Sequence, residues 1–489
     1  VGTLTALTTR TSRRADPDAG PVALTRLPTT PLVAVPAVSS ASAVPTAASV
    51  PTGPTAAPSP AWSLAPASSP TVLPLPRTRG TAPTPAVPAF APAAPTVAPD
   101  APDAPALGLA RADIPQLTGV RFVAAVWVLL LHASYVPGDV FARWTAPIAP
   151  LVAAGPLGVD LFFVLSGLVL TRAYLERLGR RPSARGTWTF LRARIARVWP
   201  LYATVTVVFG LWCAARLAFG RDGVVTWQSP QPDLGPMGWL RQLTMTQLWD
   251  SRGIEGISFV LPAWSVSAEW LAYLCFPVLV LGVWRIRNWP LPVLGALAVV
   301  ASSPIALAAV LSSESGETGA WAWALRIGGG FTAGMLTWLV VARIERTPRV
   351  ELWAQRIVLG VIAETVLVAY WAASAPTSAA IPAADRLWFA VPMFPLLLGA
   401  LCLSRGGVVR FLSHPRLQHG GRISYAIYLV HFPLIEITVV AMTRFPALAP
   451  NSSLAALAVP HVLVGSVLVA HYAYRWVEEP ARRRCAPRP

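Results

Sequence analysis

The chain has 489 residues, 54% of them hydrophobic and only 12% charged, with a mean hydropathy of +0.54 and 20 tryptophans. Soluble globular proteins carry charge at about a quarter of their positions, so this composition excludes an ordinary soluble protein and points to a polytopic membrane protein. The net charge of +17 is concentrated in short arginine-rich loops between apolar runs, which argues against a nucleic-acid partner and assigns these arginines to membrane orientation.

Residues 1–112 are built from Ala, Pro, Thr, Ser and Val, hold nearly half of the 50 prolines, and show neither helical nor strand periodicity. They read as a disordered low-complexity extension. The basic residues Arg10 to Arg14 are followed by Asp16, Pro17 and Asp18 instead of an apolar core, so this stretch does not read as a secretory signal.

From residue 113 to 480 the expected fold is an all-α polytopic membrane domain. Ten apolar runs reach the length of about 20 residues that a spanning helix requires. They lie near 117–136, 150–172, 198–219, 262–284, 289–311, 320–342, 356–373, 386–403, 422–442 and 453–476. Loop charge orients them. Arg172, Arg177, Arg180, Arg181, Arg185, Arg192, Arg194 and Arg197 place the loop after the second run inside, whereas Asp222, Asp233, Asp250 and Glu255 place the next one outside. The alternation continues through Arg285 and Arg287 inside, Glu314 and Glu317 outside, and Arg343, Arg346, Arg349 and Arg356 inside. After a nearly neutral loop come Arg405, Arg410, Arg416 and Arg422 inside, then a basic tail at 481–489 with Arg482, Arg483 and Arg484. The expectation is a multi-pass protein of the cell's inner (plasma) membrane, in contact with the lipid bilayer, with both termini cytoplasmic.

Several spans carry polar residues that need a reason. In the first, Arg121 and His132 are eleven residues apart, three helical turns, so they share a face at depths differing by roughly 16 Å. A guanidinium inside a span costs on the order of 2.5–3.5 kcal/mol on insertion scales, and such residues usually face a bundle interior and serve function. Counting along the oriented helices brings His132, Asp160, Glu269 and His431 to one layer at or outside the midplane. A histidine beside a carboxylate in such a layer can act as a general base, the carboxylate fixing its tautomer. Each residue also has a plainer reading: His132 as an interhelical hydrogen-bond partner, Asp160 and Glu269 as ion pairs or caps, His431 as the donor to a carbonyl freed by Pro433, and Ser166 as bonded back to its own helix. Gly167, seven residues after Asp160 on the same face, is where a neighbouring helix can approach closely. The segment FLRARIARVWPLY at 190–202 is either an orientation signal or, through Arg194 and Arg197, a phosphate-binding site on the cytoplasmic side. The cysteines Cys213, Cys275, Cys402 and Cys485 have no metal-ligand or redox spacing, and no metal is expected.

Taken together, Arg121 with His132, GVDLFFVLSG at 158–167, RARIARVWPLY at 192–202, WSVSAEW at 264–270, RIGGGFTAG at 326–334, ISYAIYLVH at 423–431 and VEEP at 477–480 resemble integral-membrane acyltransferase family 3. The resemblance covers about residues 113–482, and each motif alone is weak while their order is specific. It implies transfer of an acyl group, most often acetyl from acetyl-CoA, to a hydroxyl of a carbohydrate, cell-envelope glycan or secondary metabolite. It also implies roles: His132 catalytic with Arg121 as its companion, Asp160 and Glu269 as matching acids, and Arg194 and Arg197 for the CoA phosphates; Ser166, Tyr425 and His431 are expected as substrate or structural support. Ala268 and Trp270 depart from the family's usual neighbours of the acid. Many relatives carry an esterase-like domain after the last span, whereas this chain stops soon after Pro480, so a second transfer step would need a separate periplasmic or extracellular protein. The alternative is a transporter or flippase for a lipid-linked or anionic molecule, which the absence of any repeat between the two halves disfavours.

Overall fold

The computed structural model describes residues 114–220, 224–311, 319–376, 380–450 and 452–485. All belong to the second of two units, Thr96–Pro489; the extension expected at 1–112 lies outside the described residues. Among the described residues there is no strand, and nine helices are long and apolar enough to cross a membrane. They are α1 (Pro115–Ala133), α2 (Leu157–Arg180), α3 (Ala184–Phe219), α4 (Leu261–Ile286), α7 (Ala322–Val341), α8 (Pro348–Ala373), α9 (Ala383–Leu403), α10 (Pro415–Arg444) and α11 (Ser453–Arg484). The fifth run, 289–311, is a broken span. Its halves α5 (Leu291–Ser302) and α6 (Pro304–Leu311) are bent by 44°, because Pro304 brings no amide hydrogen to the ladder. At the break Ser302 Oγ donates to Ala298 O and Ser303 Oγ donates to Val299 O, at 3.2 and 2.8 Å.

The basic segment is not a loop that meets the third span. It is the first half of α3, a helix of 36 residues, about 54 Å at the helical rise. Ser183 caps its start by accepting from Gly186 N, and Thr204 donates to Pro200 O at 2.8 Å where the internal proline loosens the ladder. The tail through Cys485 is helical as well, with Arg482 and Arg483 both paired to Glu479.

Two close crossings organise the bundle. On α2 a Cβ at Gly167 would collide with the carbonyl of Phe331, and on α7 a Cβ at Gly334 would collide with the carbonyl of Val164. The motifs GVDLFFVLSG and RIGGGFTAG are thus the two halves of one reciprocal contact, the small-residue packing by which membrane helices approach. On α1 a Cβ at Gly119 would meet the carbonyl of Leu412, and on α10 a Cβ at Gly421 would meet the carbonyl of Thr118. This second crossing locks the first span against the ninth apolar run, and Gly158 of α2 seats against Ala124 of α1. The helices bearing His132, His431, Asp160 and Ser166 thus approach to backbone contact. Outward faces remain apolar, as at Val208, Leu211, Val278, Leu367 and Val464, which suits lipid.

Candidate active site

The intramembrane polar residues form two groups, not the single layer expected. In the first, His132 Nδ1 lies 2.8 Å from His431 Nε2, and His431 Nδ1 lies 3.0 Å from the carbonyl of Ile427. A carbonyl only accepts, so His431 Nδ1 carries its proton and, in the neutral ring, His431 Nε2 is an acceptor. His132 Nδ1 is then the donor, and its Nε2 keeps a free lone pair. His431 therefore bonds to Ile427 and not to Leu429, the carbonyl freed by Pro433. The residue beside His132 is a second histidine where an acid was expected.

Asp160, fully buried, is instead taken by a residue that sequence reasoning left without a role. Arg326 donates through Nε to Oδ1 at 3.0 Å and through Nη2 to Oδ2 at 2.8 Å, and Nη2 also reaches the carbonyl of Pro156 at 3.3 Å. Its guanidinium lies over the rings of Trp264 and Trp388, 4.9 and 4.5 Å from their centroids, where ring quadrupoles favour the cation. The signal for it in the sequence is an isolated arginine near the start of the sixth apolar run, inside the RIGGGFTAG motif. His132 and Arg326 line one small cavity with Tyr135, Trp264 and Tyr428.

The second group lies toward the arginine-rich ends of the helices. Glu269 Oε1 accepts from Ser166 Oγ and from Tyr273 OH, both at 2.6 Å, so Ser166 reaches across to α4 and does not bond back to its own helix. With Arg121, Arg197 and Tyr425 these residues line a cavity that leaves about 90 Å³ for the centres of water-sized molecules. Among the described residues Arg121 makes no hydrogen bond or ion pair. Arg197 is held at 3.6 Å by Glu478, a distance for an ion pair and not a hydrogen bond, which gives the VEEP motif a physical role. Tyr425 OH donates to Val198 O at 2.9 Å. Arg194 is not in this cavity. Its side chain lies over Tyr174, 5.9 Å from the ring centroid, and its Nε is buried without a partner, because residues three apart on a helix are offset by about 60° around the axis. The expected arginine pair is split.

Arg121 and His132 therefore open into different cavities of the same bundle. Val159 and Tyr428 line both and form the wall between them, with Tyr428 OH donating to Pro262 O at 3.1 Å and lying 2.7 Å from Ser265 Oγ. One cavity presents two arginines beside the Glu269 carboxyl; the other presents an unprotonated ring nitrogen. No group of three or more His, Cys, Asp or Glu side chains suited to a metal occurs among the described residues.

Residues 114–472 match the family model for an acyltransferase domain. Acyltransferase MdmB of Streptomyces mycarofaciens is 26% identical over 165 residues, which are 34% of this chain and 38% of that protein. Protein 2 in the picA locus of Rhizobium radiobacter is 41% identical over 104 residues, 21% of this chain and 48% of that protein. The matched segments thus span less than half the length of these curated relatives. No solved structure matches.

Proposed function

The chain belongs to acyltransferase family 3 and is a multi-pass membrane acyltransferase, and from that premise we propose that it transfers an acyl group, acetyl in the first instance, from acyl-CoA to an alcohol, with His132 as the general base. The observation that carries this reading is the relay from Ile427 O through His431 to His132, which leaves Nε2 as the unprotonated nitrogen of a ring that lines a cavity. The family match sets aside the transporter reading.

In this account the acyl donor enters at the arginine-rich, cytoplasmic end. The cavity with Arg121 and Arg197 is too narrow for a nucleotide and suits the thioester end of a pantetheine arm. Arg121, whose guanidinium makes no hydrogen bond among the described residues, and Arg197 present donors to an anionic acyl donor. The acceptor hydroxyl approaches His132 from the other side, and the thioester end of the donor reaches it by passing between Val159 and Tyr428, the two side chains that separate the cavities. His132 Nε2 takes the hydroxyl proton as the oxygen attacks the thioester carbonyl; the carbon–sulfur bond breaks, and the thiolate recovers that proton from the imidazolium. His431 accepts a hydrogen bond from His132 Nδ1–H throughout and stabilises the charged ring, the part a carboxylate plays in a triad. Asp160 does not touch the reacting atoms. It positions Arg326, which walls the cavity. Acceptors of the carbohydrate, envelope-glycan and secondary-metabolite classes are all compatible with this chemistry, and the protein acts in the plasma membrane with both termini cytoplasmic.

Removing a general base typically costs about 10²–10⁴-fold. His132→Gln in the full chain, purified in lipid nanodiscs and supplied with labelled acetyl-CoA, is expected to lower acyl transfer by about that factor while membrane insertion and thermal stability stay at parental levels. Parental transfer by this variant would remove His132 from the chemistry.

A further inference from the structure

Helices α5, α7, α8 and α9 leave an apolar groove of about 500 Å³ between them, and it shares no residue with the two polar cavities. Small residues open it: Gly295 and Ala298 of α5, Ala354 of α8, and Gly399 and Ala400 of α9. A Cβ at Gly295 would meet nothing within 4 Å. The lining runs from Arg349 to Ile357 on α8 and from Leu403 back to Pro395 on α9, each about 12 Å of helix, whereas one leaflet of hydrocarbon is about 15 Å deep. The groove therefore begins at the arginine-rich end of the bundle and stops within one leaflet. Thr337 in its wall spends its hydroxyl on Ala333 O at 2.8 Å, so the body of the groove is hydrocarbon in character.

Its rim is cationic. Arg343 Nη1 donates to the carbonyls of Arg287 and Trp289 at 3.1 and 2.6 Å, and Arg346 Nη2 donates to Cys402 O at 2.7 Å. Carbonyls hold these guanidiniums without neutralising them. Arg349, which lines the groove, is exposed and makes neither a hydrogen bond nor an ion pair among the described residues. It stands in the first turn of α8, where the positive end of the helix adds to its charge. Glu345 and Glu351 lie in the same stretch, and neither pairs with these three arginines among the described residues. Trp353, one turn beyond Arg349 and 60% exposed, carries the Arg356 guanidinium 4.9 Å from its ring centroid, an indole and a cation suited to headgroup depth.

We infer that this groove binds one anionic phospholipid of the leaflet at the arginine-rich end, its phosphodiester on Arg349 and one acyl chain running along Gly295 and Gly399. None of these residues takes part in the proposed acyl transfer. The guanidinium fork matches phosphate oxygens, and the groove below it takes the chain out of the bilayer into a fitted wall. A soluble anion would leave that wall unused. A transmembrane helix of a second copy would have to continue through the other leaflet, beyond where the groove ends. A zwitterionic lipid brings its own cation to a rim that is already cationic, so an anionic headgroup gains about fivefold for each arginine in reach.

The test is native mass spectrometry of the full chain in detergent micelles, titrated with phosphatidylglycerol and, separately, with phosphatidylcholine of the same chain length. The parent binds one phosphatidylglycerol at least about fivefold more tightly than phosphatidylcholine. Arg349→Ala, a change of an exposed side chain, removes that preference and leaves phosphatidylcholine binding as in the parent. Gly295→Leu fills the groove from a position where nothing opposes the added carbon and abolishes this first binding of both lipids, while its melting temperature without added lipid does not fall, leucine being the better helix former. Equal affinity for the two lipids, or a preference that survives Arg349→Ala, overturns the headgroup assignment. A Gly295→Leu variant that takes up lipid like the parent overturns the groove. Chain-free glycerophosphoglycerol that displaces the lipid at equal concentration would reduce the site to a headgroup site, and a dimer without bound lipid that Gly295→Leu dissociates would give the groove to a second copy; either result overturns the lipid assignment.

Discussion

Asp160 with Arg326, and Glu269 with Arg121, are both sets of opposite charges carried into the bundle on closely packed helices, and they are finished differently. The first is closed: Asp160 is 0% and Arg326 5% exposed, two hydrogen bonds join them, and two indoles lie within 5 Å of the guanidinium carbon. The second is open: Glu269 is satisfied by hydroxyls from Ser166 and Tyr273, and Arg121 has no partner among the described residues. A charge whose bonding capacity is used up within the protein holds helices in place, whereas one left facing a cavity is available to a ligand. The difference separates the acids by task, which their positions along the helices did not.

The largest effect on stability belongs to the closed pair. Asp160→Asn strands a buried guanidinium, and breaking one partner of a buried pair costs about 3–5 kcal/mol; thermal unfolding in nanodiscs should show this loss. Replacing both partners, Asp160→Leu with Arg326→Met, should recover most of it, and failure to recover would mean that the pair does more than satisfy its own charges. A smaller loss, about 1–3 kcal/mol, is expected from Gly167→Ala, which drives a methyl into the Phe331 carbonyl; Gly282→Ala, with open space around the added carbon, is the control in the same assay. The smallest stability effect belongs to the open group. Glu269→Gln keeps an acceptor for both hydroxyls and should change stability by less than about 1 kcal/mol, yet lower acyl transfer about tenfold. A large stability loss there would erase the contrast between the two groups.

Much of the architecture was readable before any coordinates. Apolar length and the alternation of loop charge marked the spans, and the structure adds that the fifth is broken at Pro304 and that the third begins much earlier, because the arginine-rich segment is helical. Gly167 was legible as a close approach, though not which helix it met. The site was less legible for a physical reason. Counting residues along a helix gives depth but not rotation or partner, so His132, Asp160 and Glu269 looked coplanar while they face different neighbours. A neutral histidine can orient His132 as an acid can, and Arg326, one residue of the RIGGGFTAG motif, carries no sequence sign of its counter-ion because Asp160 lies 166 positions away on another helix.

The central claim is that His431 orients His132, and substitution at position 431 tests it most directly. His431→Leu removes the acceptor for His132 Nδ1–H and should lower kcat about a hundredfold, with the KM for acetyl-CoA unchanged. His431→Gln returns a carbonyl acceptor and should recover at least about tenfold of that loss. Equal activity of the leucine and glutamine variants, or a leucine variant at the parental rate, would contradict the account.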